Sequence, residues 1–217
     1  MDTTKTHLLA SLAHDDASER LRAALALGSN PDPQMLDGLL ERCAVESDFY
    51  VRDMLTWSLI RLPSELTVPR LLAELQSGVA QARSQALHTL SKIKDHRVFD
   101  KITPLLMRDM DDEVARSAWR AAVVLVPDEL KHQLAGELSA QLGRGDRSLR
   151  LSLSRALVAL GADVVEPVLR RIVDLGALDA REHARATLGL LHDPDSGFDL
   201  DIKEAKRRFV LGKDVNA

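Results

Sequence analysis

The sequence predicts an all-α fold: a right-handed α-α superhelix, or solenoid, of about six stacked helical hairpins with a C-terminal capping helix. An arginine followed by small or apolar residues three, six, seven and often ten positions later occurs six times, at Arg20, Arg52, Arg83, Arg116, Arg150 and Arg181. Successive arginines are 32, 31, 33, 34 and 31 residues apart. A near-constant period of this length is typical of stacked helical repeats, in which neighbouring units bury a core that one unit cannot bury alone.

Each copy of the motif predicts one amphipathic helix, because offsets of three, six, seven and ten residues lie on one helical face. Four copies carry an aspartate four positions before the arginine: Asp16, Asp48, Asp112 and Asp146. Aspartate at the N-cap accepts hydrogen bonds from free backbone N–H groups and complements the positive end of the helix dipole. We therefore expect these four residues to begin their helices.

A second amphipathic segment precedes each motif, so the predicted unit is helix, short turn, helix. The resulting boundaries are about 4–30, 31–63, 64–94, 95–127, 128–161 and 162–192. A last amphipathic segment at 198–213 is predicted to cap the array, because open repeat ends need a polar outer face. No linker separates the units, so we expect a single repeat domain spanning 1–217.

The run from Asp16 to Gly28 resembles the second helix of HEAT-like repeats, of the short bacterial type known from phycobilisome lyases. Residues 48–62, 112–126 and 146–161 follow the same pattern more loosely. The resemblance implies an armadillo-like α solenoid over most of the chain. Such repeats occur in scaffolds, chaperone-like lyases, a metal-dependent hydroxylase and DNA glycosylases, so the fold does not choose the function.

Composition and charge argue against several functional classes. The net charge is −4 and the pI is about 6.0, whereas a dedicated duplex-DNA binder usually has a basic footprint. The N-terminus is polar, without the apolar core of a signal peptide, and no apolar run is long enough to span a membrane. These features predict a cytoplasmic protein without a membrane partner.

No pattern in the sequence predicts catalysis, a metal or a cofactor. The single cysteine, Cys43, lies in the apolar pattern of a predicted helix and has no predictable histidine and acid partners. The paired His-Glu motifs that the resemblance to the hydroxylases implies are absent, as is a glycine-rich phosphate loop. We therefore expect a non-enzymatic protein, with Cys43 as a small buried hydrophobe.

We interpret the six repeated arginines, called the ladder arginines below, as structural. An arginine in the first turn of a helix can pair with the cap aspartate of its own or an adjacent unit. The opposing interpretation is a polyanion-binding surface.

A partner-binding surface is predicted on the outward side of the second helices, which the resemblance implies line the concave face. Positions one, four, five and eight after a ladder arginine should point away from the core. Thr56 and Leu87 are two of these outward positions. The predicted partner-binding residues are Asp53, Trp57, Ile60, His88, Arg120, Arg155 and Arg185. Trp57 has two interpretations: an exposed anchor for a peptide or helix, or a side chain packed against the adjacent unit.

The favoured function is a scaffold or adaptor that binds an unidentified protein partner. The first alternative is nucleic-acid binding similar to HEAT-like DNA repair glycosylases, which Arg120, Arg155 and Arg185 would support. The second is a bilin-lyase-like chaperone, which rests on the resemblance alone.

Overall fold

The computed structural model describes residues 3–193. The predicted capping segment at 198–213 lies outside the described residues. Within the described range the chain forms helices and turns, without a strand. The α-helices are α1 Thr3–Ser11, α2 Ala17–Ser29, α3 Leu36–Val45, α4 Phe49–Ile60, α5 Ser64–Glu74, α6 Ala80–Ile93, α7 Pro104–Met107, α8 Asp112–Leu125, α9 Lys131–Ser139, α10 Arg147–Ala159, α11 Ala162–Leu175 and α12 Leu178–His192. Short 3₁₀ helices span Pro33–Met35, His96–Lys101 and Asp128–Leu130.

The helices pair in the order that the repeat predicts, with α1/α2, α3/α4 and the following pairs in contact as hairpins. The predicted all-α fold of stacked helical hairpins is therefore confirmed. Consecutive second helices also pack side by side: α2 on α4, α4 on α6, and α6 on α8. The predicted right-handed sense of the superhelix stays a prediction.

Cap aspartates begin three of the second helices as predicted. The Asp16 carboxylate accepts from the Ser18 amide at 2.9 Å, and the Asp48 carboxylate accepts from the Val51 amide at 3.0 Å. The Asp146 carboxylate caps α10. Each of these bonds satisfies one of the N–H groups that a helix start leaves free.

Asp112 does not cap its helix, which corrects the fourth prediction. The cap of α8 is Asp111, whose carboxylate accepts from the amides of Glu113 and Val114 at 2.9 and 3.1 Å. Two aspartates stand in sequence, and α8 begins one residue earlier relative to its ladder arginine than α2, α4 and α10 do. Asp112 therefore lies in the first turn, where its charge still complements the helix dipole.

The Cα packing divides the chain into two compact units, Met1–Pro127 and Asp128–Ala217. The division coincides with a predicted boundary between repeats. In the N-terminal unit the core is filled mainly by leucine and alanine, together with the fully buried Trp119, whose indole N–H donates to the Met107 carbonyl at 2.9 Å. In the C-terminal unit α9 packs on α11 and α10 packs on α12. The expected single domain stays a prediction.

Candidate functional site

The ladder arginine Arg20 lies at the centre of a buried ion cluster around Glu46. Its guanidinium donates two hydrogen bonds of 2.8 Å to the two carboxylate oxygens of Glu46. Arg42 Nε and the Asp48 amide donate to the same carboxylate, also at 2.8 Å. Glu46 is fully buried. Burial raises its pKa, but the hydrogen bonds from Arg20, the Asp48 amide and Arg42 outweigh it and hold the pKa at about 2.

The backbone around Glu46 is held from two further helices. Arg52 Nη1 donates to the Glu46 carbonyl at 3.0 Å. Gln81 Nε2, at the start of α6, donates to the carbonyls of Cys43 and Glu46 at 2.8 and 2.6 Å. One turn therefore joins three consecutive hairpins. The turn accepts donors from α2, α4 and α6, and the structural interpretation of all six ladder arginines stays a prediction.

The expected pairing of ladder arginines with cap aspartates is wrong for Arg20 and Arg83. Their hydrogen-bonded carboxylates belong to Glu46 and Asp109, each 26 residues further along the chain. The turn within the next hairpin lies beside the starts of α2 and α6, so an acid in that turn reaches each of these two arginines. The sequence does contain a signal for these pairs, since an acid follows each of the two arginines at the same distance of 26 residues.

The other ladder arginines bind carbonyl groups or a nearby acid. Arg150 donates to the carbonyls of Gly145 and Gly143 at 3.0 and 2.8 Å, and Arg181 donates to the Val173 carbonyl at 3.0 Å. Arg116 lies 3.5 Å from Glu113, while its Nε is buried without a hydrogen-bond partner among the described residues. Arg150 and Arg181 therefore satisfy carbonyl groups near helix ends.

The predicted residues Asp53, His88 and Arg120 lie on three second helices that pack side by side, α4, α6 and α8. Burial lowers the pKa of His88, the positive charges of Lys92 and Arg120 lower it further, and Asp53 opposes them. These four side chains come from α4, α6 and α8, so they share one surface of the N-terminal unit. We call this surface, together with Trp57, Ile60 and Val124, the second-helix face.

Apolar side chains on α4 and α8 complete the second-helix face. Ile60 is 39% exposed and Val124 is 41% exposed, as the outward positions predict. Trp57 is half-buried because its ring lies against Gly28 of α2, where an added Cβ would stand 2.2 Å from the ring carbon Cζ3. Arg61 covers the ring at 6.0 Å. The packed interpretation of Trp57 is therefore correct.

Two outward predictions are wrong. Thr56 is 3% exposed and Leu87 is fully buried. The helices α4 and α6 each pack against their own first helix and against a second helix on either side, so their buried arc is wider than one stripe. The exposed part of the second-helix face is correspondingly narrow.

Arg155 and Arg185 lie in the C-terminal unit, on α10 and α12, and both are exposed as predicted. The same two helices share a buried polar cluster. His183 Nδ1 accepts from the Gly143 amide at 3.0 Å, and its Nε2 lies 3.0 Å from Ser154 Oγ and 2.9 Å from the Arg150 carbonyl. With Ser154 and His183 each 4% exposed, this contact joins the two helices and is closed to a substrate.

Cys43 is a buried thiol on α3. Cys43 is 3% exposed, and burial with the nearby charges of Glu46 and Glu74 raises its pKa to about 12. A thiol of this kind is a weak nucleophile because the thiolate is the reactive form.

Among residues 3–193 no group of three or more His, Cys, Asp or Glu side chains is placed to hold a metal. In the same range no helix is long and apolar enough to cross a membrane.

Comparison with known proteins found similarity to solved structures. No protein-family model and no curated protein matches the chain. The structure is similar to the complex of CpcE and CpcF of phycocyanin lyase from Nostoc sp. PCC7120, with 19% identity, a TM-score of 0.48, and coverage of 88% of this chain and 78% of that chain. It is also similar to an engineered protein from the Northeast Structural Genomics Consortium, with 18% identity, a TM-score of 0.45, and coverage of 88% and 97%. Similarity at this level does not assign a function.

Proposed function

We propose that the chain is a non-enzymatic scaffold that binds a partner protein through the second-helix face of its N-terminal unit. The observation that supports this proposal is that Asp53, His88, Lys92 and Arg120 lie on three adjoining second helices, α4, α6 and α8, which also expose Ile60 and Val124. Charged groups around a small apolar centre are typical of protein interfaces, whose rims are polar. The proposal keeps the concave-face interpretation and the cytoplasmic location predicted from the sequence.

The chemistry of the face favours a partner segment with aliphatic and acidic side chains. Arg61, Lys92 and Arg120 supply three positive charges, against the single carboxylate of Asp53. An amphipathic helix or an extended peptide would place apolar groups on Ile60 and Val124, and acidic groups beside the cations. The charges would mainly set the association rate and the choice of partner, and the apolar contacts would supply the affinity.

Affinity purification from the native host, with wild type and Ile60→Asp/Arg120→Glu compared quantitatively, tests the proposal. Trp57 is left unchanged because truncating a ring packed on Gly28 would open a cavity and lower stability. The control variant Leu175→Asp/Arg171→Glu makes the same chemical changes at exposed positions of α11. We expect specific proteins to disappear with the face variant and to remain with the control. If both folded variants recover the same proteins as wild type, the assignment of the face is wrong.

Nucleic-acid binding is the second candidate, favoured by the exposed Arg155 and Arg185 on adjoining helices. Phosphate contacts give an affinity that falls steeply with salt. A gel shift of single-stranded and duplex DNA that Arg155→Glu/Arg185→Glu abolishes would support this candidate. Absence of a shift at low salt would eliminate it. The bilin-lyase-like alternative stays a prediction carried by the resemblance.

A further inference from the structure

The intra-hairpin turns of the N-terminal unit lie next to one another in one row. They comprise residues 12–16, 46–48, 75–79 and 108–111. Arg20, at the start of α2, binds Glu46 in the second turn. Gln81, just after the third turn, binds the Glu46 carbonyl, and Arg83 binds Asp109 in the fourth turn. These bonds link each turn to the next, and we call the resulting surface the turn row.

Large apolar side chains are exposed at three of the four turns. They are Val45, Phe49, Tyr50, Val79 and Met110. Tyr50 is 70% exposed and Met110 is 95% exposed. The rings of Phe49 and Tyr50 contact each other edge to face with centroids 5.6 Å apart. Single exposed apolar residues are common, whereas an aromatic pair grouped with three further apolar residues is typical of an interaction surface.

The turn row also carries an excess of exposed negative charge. The exposed acids within these turns are Asp15, Asp16 and Asp111, followed by the exposed Asp112 in the adjoining first turn of α8, against the exposed cation Arg108. At every turn a first helix ends and a second helix begins, so the partial charges of the two helix dipoles oppose each other. The ladder arginines Arg20 and Arg83 are engaged with Glu46 and Asp109 and do not offset the exposed acids. The surface is therefore apolar and acidic.

We propose that the turn row is a second docking surface, which binds a protein segment carrying basic and apolar side chains. Charge complementarity selects this occupant: lysine or arginine would meet the acids, while aromatic or aliphatic groups would cover Phe49, Tyr50 and Met110. The second-helix face has the opposite charge, so the two surfaces select different partners. Occupation of both would join two proteins through one scaffold.

The test is a selection of random displayed peptides on the full-length protein, with wild type and Phe49→Ser/Tyr50→Ser compared in parallel. We expect peptides that need the two rings to be enriched in lysine or arginine together with apolar residues. A synthetic copy of one such peptide, followed by fluorescence anisotropy, should bind the double variant at least about tenfold more weakly than wild type. Its affinity should also fall with added salt.

Three further variants make the result specific. Asp112→Lys, which leaves the cap residue Asp111 in place, should lower the affinity for the basic peptide several-fold. Leu175→Ser, at an exposed leucine of the C-terminal unit, should not change its affinity. Ile60→Asp/Arg120→Glu should also leave it unchanged, which separates this surface from the second-helix face. If no selected peptide needs Phe49 and Tyr50, or if those that do lack basic residues, the proposal is overturned.

Discussion

Replacing Glu46 by glutamine should be among the most destabilising conservative changes in the N-terminal unit. The carboxylate accepts two hydrogen bonds from Arg20, one from Arg42 and one from the Asp48 amide, all at 2.8 Å. Glutamine offers one acceptor oxygen, and its NH₂ group would face a guanidinium donor. The arginines would keep their charge in a buried site without a counter-ion.

The expected cost is about 3–5 kcal/mol in the free energy of unfolding, the range typical of removing one partner from a buried ion pair. The lowered pKa of Glu46 expresses the same contacts as a second figure. A fall from the ordinary value of 4.5 to about 2 corresponds to about 3 kcal/mol of differential stabilisation of the ionised form. The two figures agree in order of magnitude.

Urea unfolding followed by circular dichroism measures the effect. The control is Glu41→Gln, which makes the same chemical change at an exposed position of the same helix, α3, and should change the free energy of unfolding by less than about 0.5 kcal/mol. If the free energies of unfolding of Glu46→Gln and Glu41→Gln differ by less than about 0.5 kcal/mol, the buried cluster does not stabilise the fold.

Three further predictions follow from the structure. Because its pKa is depressed, Glu46 should contribute stability that is fully present above pH 4.5 and lost as the pH falls toward about 2; the acid unfolding curve of Glu46→Gln should lack this component. Gly28→Ala should cost about 1–3 kcal/mol and shift tryptophan emission to longer wavelength, because the new methyl group displaces Trp57 from α2; an unchanged spectrum and midpoint would contradict the packing. Burial lowers the pKa of His183 from 6.5, and only the neutral ring can accept from the Gly143 amide, so wild-type stability should decline as the pH falls below about 6.5. His183→Gln should reduce that decline, as denaturant titrations at pH 8 and pH 5.5 would show, and an identical pH dependence in both proteins would refute it.

Local patterns were enough to predict the helical hairpins. A stripe at offsets of three, six and seven residues depends on helix geometry alone, and a capping aspartate acts on amide groups two or three residues away. Asp16, Asp48 and Asp146 were therefore located correctly. The cap of α8 was predicted one residue too late, at Asp112, because two adjacent aspartates can compete for one cap position.

The candidate site was predicted less well because it depends on neighbouring repeats. Ile60, His88 and Arg120 occupy the expected side of their helices, but Thr56 and Leu87 are buried by helices that lie far away in sequence. The partial burial of the Trp57 ring depends on Gly28 in the preceding hairpin, because a glycine leaves room for the ring.

By itself the sequence determined the repeat period, the alternation of first and second helices and the starts of α2, α4 and α10, since helix periodicity and capping depend on residues a few positions apart. Only the tertiary structure decided which acids the ladder arginines bind, which outward positions are covered, and that Phe49 and Tyr50 stand exposed beside acidic turns. Those features depend on contacts between residues about 26 to 35 positions apart, and a helical pattern does not record what the next hairpin places against it.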